Sequence, residues 1–138
     1  MAETYKGSCL CGTCTFEAEL DLSTLTSKCN CSRCSKTRWW GIRCKPEQFK
    51  FTSEDGTREE LMAKYIHRNP ELRSYFCKKC GVHPFGEVNI PKFGGELVSI
   101  NVGCLDGFTP EDWARLPVRY CDGWEDNWAN PPKETAYL

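Results

Sequence analysis

The cysteines constrain this chain more than any other feature of its sequence. Seven of its eleven cysteines lie in three tight clusters, Cys9-x-Cys11, Cys29-x-Cys31-x-x-Cys34 and Cys77-x-x-Cys80. Thiolates at such spacings are typical zinc ligands, and a small chain gains useful stability from a bound metal. The two pairs supply four ligands and would close one site, whereas the triplet supplies three. The sequence therefore predicts two zinc sites of different kinds.

Length and composition favour one small domain. The chain has 138 residues, of which 40% are hydrophobic, and it contains no low-complexity region or long linker. We expect a single zinc-stabilised domain over residues 1–138, with a core over about residues 5–107. Residues 108–138 are predicted to form a C-terminal extension that packs on this core. The net charge of −1 argues against nucleic acid as a partner.

The sequence also bears on the cellular compartment. It contains no apolar run of membrane-spanning length, and its first residues lack a secretory apolar segment. We therefore expect a cytoplasmic protein without a membrane partner. In a reducing cytosol, clustered cysteines are more often metal ligands than disulfides, and an odd count of eleven fits a disulfide framework poorly.

Hydrophobic periodicity predicts an all-β fold built mainly from antiparallel sheets, with minor short helix. Polar and apolar residues alternate over residues 13–20, which is the period of a half-buried strand. Further strands are predicted around Phe49 and Phe51, over residues 97–102, and in a hairpin over about residues 60–77 that turns at Asn69-Pro70. The best helix signal begins at Thr109 and supports only a turn or two.

The first and last clusters are predicted to form one closed site. The spacing Cys77-x-x-Cys80 lets the chain wrap around one ion, and Gly81 tolerates the left-handed turn that often follows. Cys9 and Cys11 are separated by one residue, so both sulfurs can point the same way and complete a tetrahedron. A site with four cysteine ligands is structural by default.

The middle cluster differs because its three sulfurs occur within six residues, on what we interpret as one loop. Zinc held by Cys29, Cys31 and Cys34 with an open position can act as a Lewis acid or hold a thiolate. We interpret this as a catalytic site. The alternative is that a distant side chain closes it, and the candidates for that ligand are Cys14, Cys44, Cys104, His67 and His83.

The surroundings of the triplet are basic and aromatic. Residues 28–50 contain seven Lys or Arg residues against one acid. These charges either offset an anionic zinc–thiolate centre or attract an anionic substrate, and both interpretations can hold together. Trp39 and Trp40 either line a pocket or anchor the loop in the core. Cys14, Cys44, Cys104 and Cys121 are expected to pack as ordinary small residues, and residues 123–128 show no evident chemistry.

The order of the clusters resembles that of a known family. The segments that carry the resemblance are Gly7-Ser8-Cys9-Leu10-Cys11-Gly12, Cys29-Asn30-Cys31-Ser32-Arg33-Cys34, Phe76-Cys77-Lys78-Lys79-Cys80-Gly81 and Asn101-Val102-Gly103. They are similar to those of the glutathione-dependent formaldehyde-activating enzyme family, which includes centromere protein V. The family commonly has Cys-His-Cys in the middle motif, where this chain has Asn30; that position is not a ligand.

The resemblance implies a mostly β fold with two zinc ions. It implies a structural zinc on Cys9, Cys11, Cys77 and Cys80, and a catalytic zinc on Cys29, Cys31 and Cys34. The implied activity joins formaldehyde to the thiol of glutathione to give S-hydroxymethylglutathione, a reaction of the carbon–sulfur lyase class. One rival hypothesis is the same scaffold acting on another thiol or electrophile. The other is a non-catalytic zinc-stabilised module that docks an acidic partner through residues 28–50.

Overall fold

The fold is described from a computed structural model that covers residues 1–138. The alternating segment forms a strand over Thr15–Leu20, in which Phe16, Ala18 and Leu20 are buried while the intervening residues are not. Ten strands occur in chain order: β1 (Glu3–Ser8), β2 (Thr15–Leu20), β3 (Thr26–Cys29), β4 (Trp40–Cys44), β5 (Phe49–Phe51), β6 (Met62–Ile66), β7 (Leu72–Cys77), β8 (Phe85–Ile90), β9 (Gly95–Asn101) and β10 (Val118–Cys121).

These strands form two sheets. A three-stranded sheet has the order β1-β2-β5, and a seven-stranded sheet has the order β10-β3-β4-β9-β8-β7-β6. Every pair of neighbouring strands is antiparallel except β10 and β3, which are parallel. The prediction of an all-β fold with mainly antiparallel sheets is confirmed. So are the hairpin of β6 and β7 and the strands at β5 and β9.

The core lies between the two sheets and is rich in aromatic rings. Phe16 of the small sheet contacts Phe85 of the large sheet, with ring centroids 6.0 Å apart. Phe49 packs on Phe85 with centroids 4.6 Å apart. Ile42 and Ile100, on adjacent strands of the large sheet, complete this layer. Because strand residues alternate between faces, the neighbours of these residues lie on the outer face of the large sheet.

Helix is a minor component, as predicted. The three α-helices are α1 (Ser32–Thr37), α2 (Arg58–Leu61) and α3 (Pro110–Ala114). Thr109 caps α3 through its side chain, which confirms the helix signal there. Helix α1 is a difference from expectation, because the triplet was interpreted as a loop. None of the helices has the length and apolarity needed to cross a lipid bilayer.

The C-terminal segment contributes to the main sheet. Strand β10 pairs in parallel with β3, so residues 118–121 form the edge of the seven-stranded sheet. The sequence analysis assigned this region to an extension that packs on the core, and no strand was predicted there. A parallel pair of strands needs partners distant in sequence, here about ninety residues apart by position, and it leaves no local hairpin signal.

Candidate metal centres

The first cysteine cluster joins two turns that are far apart in the sequence. Cys9 and Cys11 lie in the turn between β1 and β2, Cys77 ends β7, and Cys80 lies in the turn that follows. The four sulfur atoms all lie within 4.8 Å of one another. The structure thus brings together the two pairs that the sequence analysis assigned to one site.

Two glycine turns shape this cluster. Gly12 and Gly81 each follow a cysteine pair and have φ angles of 79° and 76°, a left-handed conformation that glycine adopts without strain. The Gly12 N–H donates to the carbonyl of Cys9 at 3.1 Å, and the Gly81 N–H donates to that of Cys77 at 2.8 Å. The conformation predicted for Gly81 is confirmed.

The sulfur spacing fits a tetrahedral zinc ion. Four ligands about 2.3 Å from zinc place neighbouring sulfurs about 3.8 Å apart. The Sγ atoms of Cys9 and Cys11 are 3.6 Å apart, and those of Cys11 and Cys77 are 3.7 Å apart. The backbone N–H groups of Cys14 and Lys79 donate to the sulfurs of Cys9 and Cys77 at 3.3 and 3.4 Å, which stabilises thiolates. This cluster can therefore hold a metal ion.

The triplet lies where strand β3 passes into helix α1. Cys29 is the last residue of β3, Cys31 caps the N-terminus of α1, and Cys34 is buried in the helix. Their sulfurs lie within 4.8 Å of one another, so this cluster can also hold a metal ion. The N–H groups of Cys31 and Cys34 donate to the sulfurs of Cys29 and Cys31 at 3.3 and 3.4 Å.

The three thiols of the triplet differ in acidity. Hydrogen bonding with Cys29 and Cys34 lowers the pKa of the Cys31 thiol, and the positive charge of Arg33 acts in the same direction. Hydrogen bonding with Cys29 and Cys31 raises the pKa of Cys34, and burial raises it further. The three thiols therefore titrate as a coupled group, and a bound cation would displace the protons that they keep.

None of the candidates for a fourth ligand belongs to the triplet, although His67 lies within electrostatic range of Cys31. The cluster consists of Cys29, Cys31 and Cys34, and no other cysteine, histidine or carboxylate belongs to it. The candidates have other surroundings: Cys44 lies in the core, Cys14 and Cys104 lie in the core near the four-cysteine cluster, His67 bonds to Ser74, and His83 packs on Phe76. The open coordination position stays a prediction, and this arrangement favours it.

A loop that follows β10 covers one side of the triplet. Asn30 is 5% exposed; its side-chain N–H donates to Asp122 at 2.9 Å, and its side-chain oxygen accepts from the N–H of Trp124 at 2.9 Å. Between these contacts, a Cβ atom added to Gly123 would lie only 2.7 Å from the Cys29 sulfur. The backbone of this loop therefore approaches a candidate metal ligand closely.

This contact was not predicted from the sequence, in which residues 123–128 show no evident chemistry and Cys121 is expected to pack as an ordinary small residue. The structure places Cys121 beside Cys29 in the parallel register of β10 and β3, although it is not a member of the sulfur cluster. The one available signal was Asn30, a polar residue between two candidate ligands whose side chain needs partners when it is buried.

Two basic residues near the triplet bind the last residues of the chain. The Lys28 ammonium donates to the carbonyl of Leu138 at 3.2 Å and lies over the ring of Trp40, 4.8 Å from its centroid. Arg38 donates to the carbonyl of Tyr137. These two side chains are thus partly engaged by the protein itself.

The two tryptophans after the triplet lie in different surroundings. The Trp40 indole N–H donates to the Thr26 hydroxyl at 2.8 Å, and Trp40 packs against the core. Trp40 therefore anchors this segment in the core. Trp39 lies over Gly41, where an added Cβ would be 2.6 Å from the indole nitrogen. Because Gly41 faces away from the core, Trp39 covers the outer face of the large sheet, as a pocket wall would.

Together the fold and its clusters define a small two-sheet β protein with one four-cysteine and one three-cysteine cluster, each able to hold a metal ion. Residues 4–122 match the family described as glutathione-dependent formaldehyde-activating enzyme, and the chain belongs to that family. The resemblance noted from the cysteine motifs is therefore confirmed.

A solved structure provides a second comparison. The crystal structure of a protein from Rhodobacter sphaeroides is similar to this chain, with a TM-score of 0.67 and 23% sequence identity. The similarity covers 83% of this chain and 99% of the other. At this identity it shows a shared fold. No curated protein matches the sequence.

Proposed function

We propose that this protein is a zinc-dependent enzyme of the carbon–sulfur lyase class that joins glutathione, or a related thiol, to formaldehyde. Membership of the family supports the reaction class. The observation that carries the proposal is the contrast between the clusters, with four sulfurs in one and three in the other. Cys9, Cys11, Cys77 and Cys80 would hold a structural zinc ion, and Cys29, Cys31 and Cys34 a catalytic one.

The proposed reaction is an addition that balances without a further reactant. The thiol sulfur forms a bond to the aldehyde carbon, the π bond of the carbonyl breaks, and the thiol proton ends on the carbonyl oxygen. A zinc ion at the triplet would supply a Lewis acid for the aldehyde oxygen or for the thiol sulfur.

The chain's own residues hold the triplet in place. Backbone N–H groups fix the sulfurs of Cys29 and Cys31, as described above. Asn30 attaches the loop after β10 through its bonds to Asp122 and Trp124. The loop after β10 covers one side of the Cys29 sulfur. A substrate would therefore approach this sulfur from the opposite side.

Substitution within the triplet tests this function. In Cys31→Ser and Cys29→Ser variants we expect the zinc content to fall from two ions per chain to one, and the rate of S-hydroxymethylglutathione formation to fall to the uncatalysed rate. Cys121→Ser, which changes a neighbouring thiol outside the cluster, should keep both zinc ions and the activity. Metal analysis, circular dichroism and exchange NMR measure these outcomes. A folded Cys31→Ser protein with unchanged turnover would contradict the proposal.

The thiol and the electrophile can be identified separately. A series of thiols, each tested with formaldehyde and with larger aldehydes, distinguishes glutathione chemistry from a related reaction on the same scaffold. A thermal shift for each thiol gives a binding readout that does not depend on turnover.

The alternative of a docking module has less support. It would use the basic stretch over residues 28–50, and two of the seven basic residues there, Lys28 and Arg38, already donate to the carbonyls of Leu138 and Tyr137. The family match supports an enzyme. We therefore favour the enzyme.

A further inference from the structure

Three strands present one continuous outer surface beside the triplet. Arg119 of β10, Ser27 of β3 and Gly41 of β4 are paired across the sheet, so they lie on the same face. Ile42 belongs to the core, so Gly41 and Arg43, its neighbours on β4, face outward. The side chains of Arg119 and Arg43 therefore share the outer face.

Cys29 lies on this face too. It is two residues beyond Ser27 on β3, and strand residues two apart point the same way. Helix α1, which follows, carries Arg33 between the two other cysteines of the triplet. We call Arg33, Arg43 and Arg119 the arginine group. It borders the same part of the sheet as the three sulfurs.

None of these arginines has a carboxylate partner. The four ion pairs of the protein involve Met1 with Asp21, Arg58 with Glu59, Arg58 with Glu87 and Arg73 with Glu87. The contacts of the arginine group are weaker ones: Arg43 lies over the Phe93 ring at 4.6 Å, Arg119 donates to the carbonyl of Trp128 at 3.4 Å, and Arg33 donates to the Cys34 sulfur at 3.9 Å.

Electrostatic effects on Arg43 agree with the placement of the three arginines at one face of the sheet. Partial desolvation of its guanidinium lowers the pKa of Arg43, and the positive charges of Arg33 and Arg119 act in the same direction. The thiols of Cys34 and Cys121 oppose it. Arg43 therefore lies within electrostatic range of both other arginines and of the triplet.

The charges exceed what the metal centre requires. Three thiolates and one divalent zinc ion leave a single negative charge and Asp122 adds another, whereas the arginine group has three positive charges. The surplus suits an anionic ligand. A guanidinium offers a planar fork of N–H donors that matches a carboxylate, and Trp39 supplies an apolar wall on the same face.

We propose that Arg43 and Arg119 bind a carboxylate of the thiol substrate, so that its sulfur faces Cys29, Cys31 and Cys34. The enzyme then selects thiols that carry a carboxylate, as glutathione does, over neutral or cationic thiols. This inference rests on the proposed function and specifies its substrate class. It assigns specificity to Arg119, which lies in the predicted C-terminal extension, where no site residue was predicted.

The test compares substrates that differ in charge. In Arg43→Gln and Arg119→Gln variants we expect the KM for glutathione to rise about 10- to 100-fold, the effect of losing one or two charge-assisted hydrogen bonds. The KM for cysteamine, a thiol without a carboxylate, should stay within about twofold of the parent value, because it lacks the group that the arginines bind. The Arg43→Lys and Arg119→Lys variants keep the positive charge, so their KM for glutathione should lie between that of the parent and that of the glutamine variants. Arg115→Gln, on the exposed end of α3, is the matched control.

A binding measurement separates this inference from the activity. Calorimetry with S-methylglutathione, which cannot react through its sulfur, should show affinity reduced in both variants while the zinc content is unchanged. Equal losses for glutathione and cysteamine would overturn the inference and leave the activity standing. If the parent protein turned over neither thiol, the proposed function would fail. In that case weaker S-methylglutathione binding by the variants supports the arginine site, and unaltered or absent binding overturns it.

Discussion

At the scale of single residues, Asn30 links the triplet to the C-terminal loop. The side-chain amide of this asparagine supplies both a donor and an acceptor. Its side chain donates to Asp122 and accepts from the N–H of Trp124. A buried amide that both donates and accepts fixes its surroundings, because breaking either bond leaves a polar group unsatisfied. Asn30 thus orients the loop rather than the metal.

Gly123 gives the first prediction. In a Gly123→Ala variant the added Cβ would meet the Cys29 sulfur at 2.7 Å and the Trp128 ring at 2.6 Å, so the loop or the ligand must move. We expect the zinc affinity of the triplet to fall about 10- to 100-fold, the usual effect of disturbing the groups that orient a ligand. Competition with a coloured chelator measures this change: zinc should leave the triplet of the variant at a lower chelator concentration, while release from the four-cysteine cluster should be unchanged.

The control for Gly123 is another glycine. An added Cβ at Gly103 would have only the Asn101 side chain nearby, at 3.5 Å, which is an ordinary contact. Gly103→Ala should therefore release zinc like the parent protein. Equal release from the Gly123→Ala and parent proteins would show that the loop does not restrain Cys29.

At the scale of elements, the two cysteine clusters connect different parts of the fold. The four-cysteine cluster joins the turn between β1 and β2, in the small sheet, to the turn after β7, in the large sheet. The triplet instead uses residues 29–34, which are already close in sequence. A link between distant segments restricts the unfolded chain far more than a local one. The clusters should therefore contribute unequally to stability.

The second prediction compares one ligand from each cluster. Cys80→Ser should lower the thermal midpoint by about 10 °C or more, since losing about 3 kcal/mol shifts a domain of this size by that amount. Cys31→Ser should lower it by only about 3 °C. Calorimetry together with metal analysis measures both effects. The two thiols suit the comparison because both are partly exposed. Similar decreases in the thermal midpoint of the two variants would contradict unequal contributions of the clusters to stability.

The elements also show how far local pattern can predict structure. The alternation over residues 13–20 predicted β2, and the turn at Asn69-Pro70 predicted the hairpin of β6 and β7. Helix α1 was missed because its six residues have no apolar period; a side-chain cap from Cys31 starts it. Strand β10 was missed because its only partner is β3, which is distant in the sequence.

At the scale of the whole molecule, burial changes the acidity of a cysteine outside both clusters. Cys44 is 4% exposed and packs in the core between the sheets. Burial raises the pKa of its thiol to about 11, and the charges of Glu19 and Glu47 act in the same direction. The folded state therefore keeps this thiol protonated at pH values where the unfolded chain begins to ionise it.

The third prediction is a loss of stability in alkali. Because the pKa of Cys44 is higher in the folded state, its contribution is complete below about pH 8.5 and is lost as the pH rises towards 11. We expect about 3 kcal/mol of the free energy of unfolding to disappear over this range. Urea unfolding of the parent protein and of a Cys44→Ala variant measures the difference. The variant should start less stable but show a shallower decline, and parallel declines would contradict this.

The sequence alone determined the cysteine clusters and the family of this protein. Cysteine spacing determined which residues form the two clusters, because the ligands of one ion must lie close together. The triplet lies within six residues of the sequence, and the two cysteine pairs together supply the four ligands of one site. Alternation determined the all-β fold, because one face of each strand must be buried. Family membership followed from the same motifs.

The tertiary structure alone decided what surrounds the triplet. The parallel pairing of β10 with β3 brings Gly123 to the Cys29 sulfur and Arg119 to the outer face beside Arg43. These residues lie on separate strands and loops, and no local pattern encodes their meeting. Proximity across a sheet depends on strand order and register, which only the folded packing of the whole chain sets.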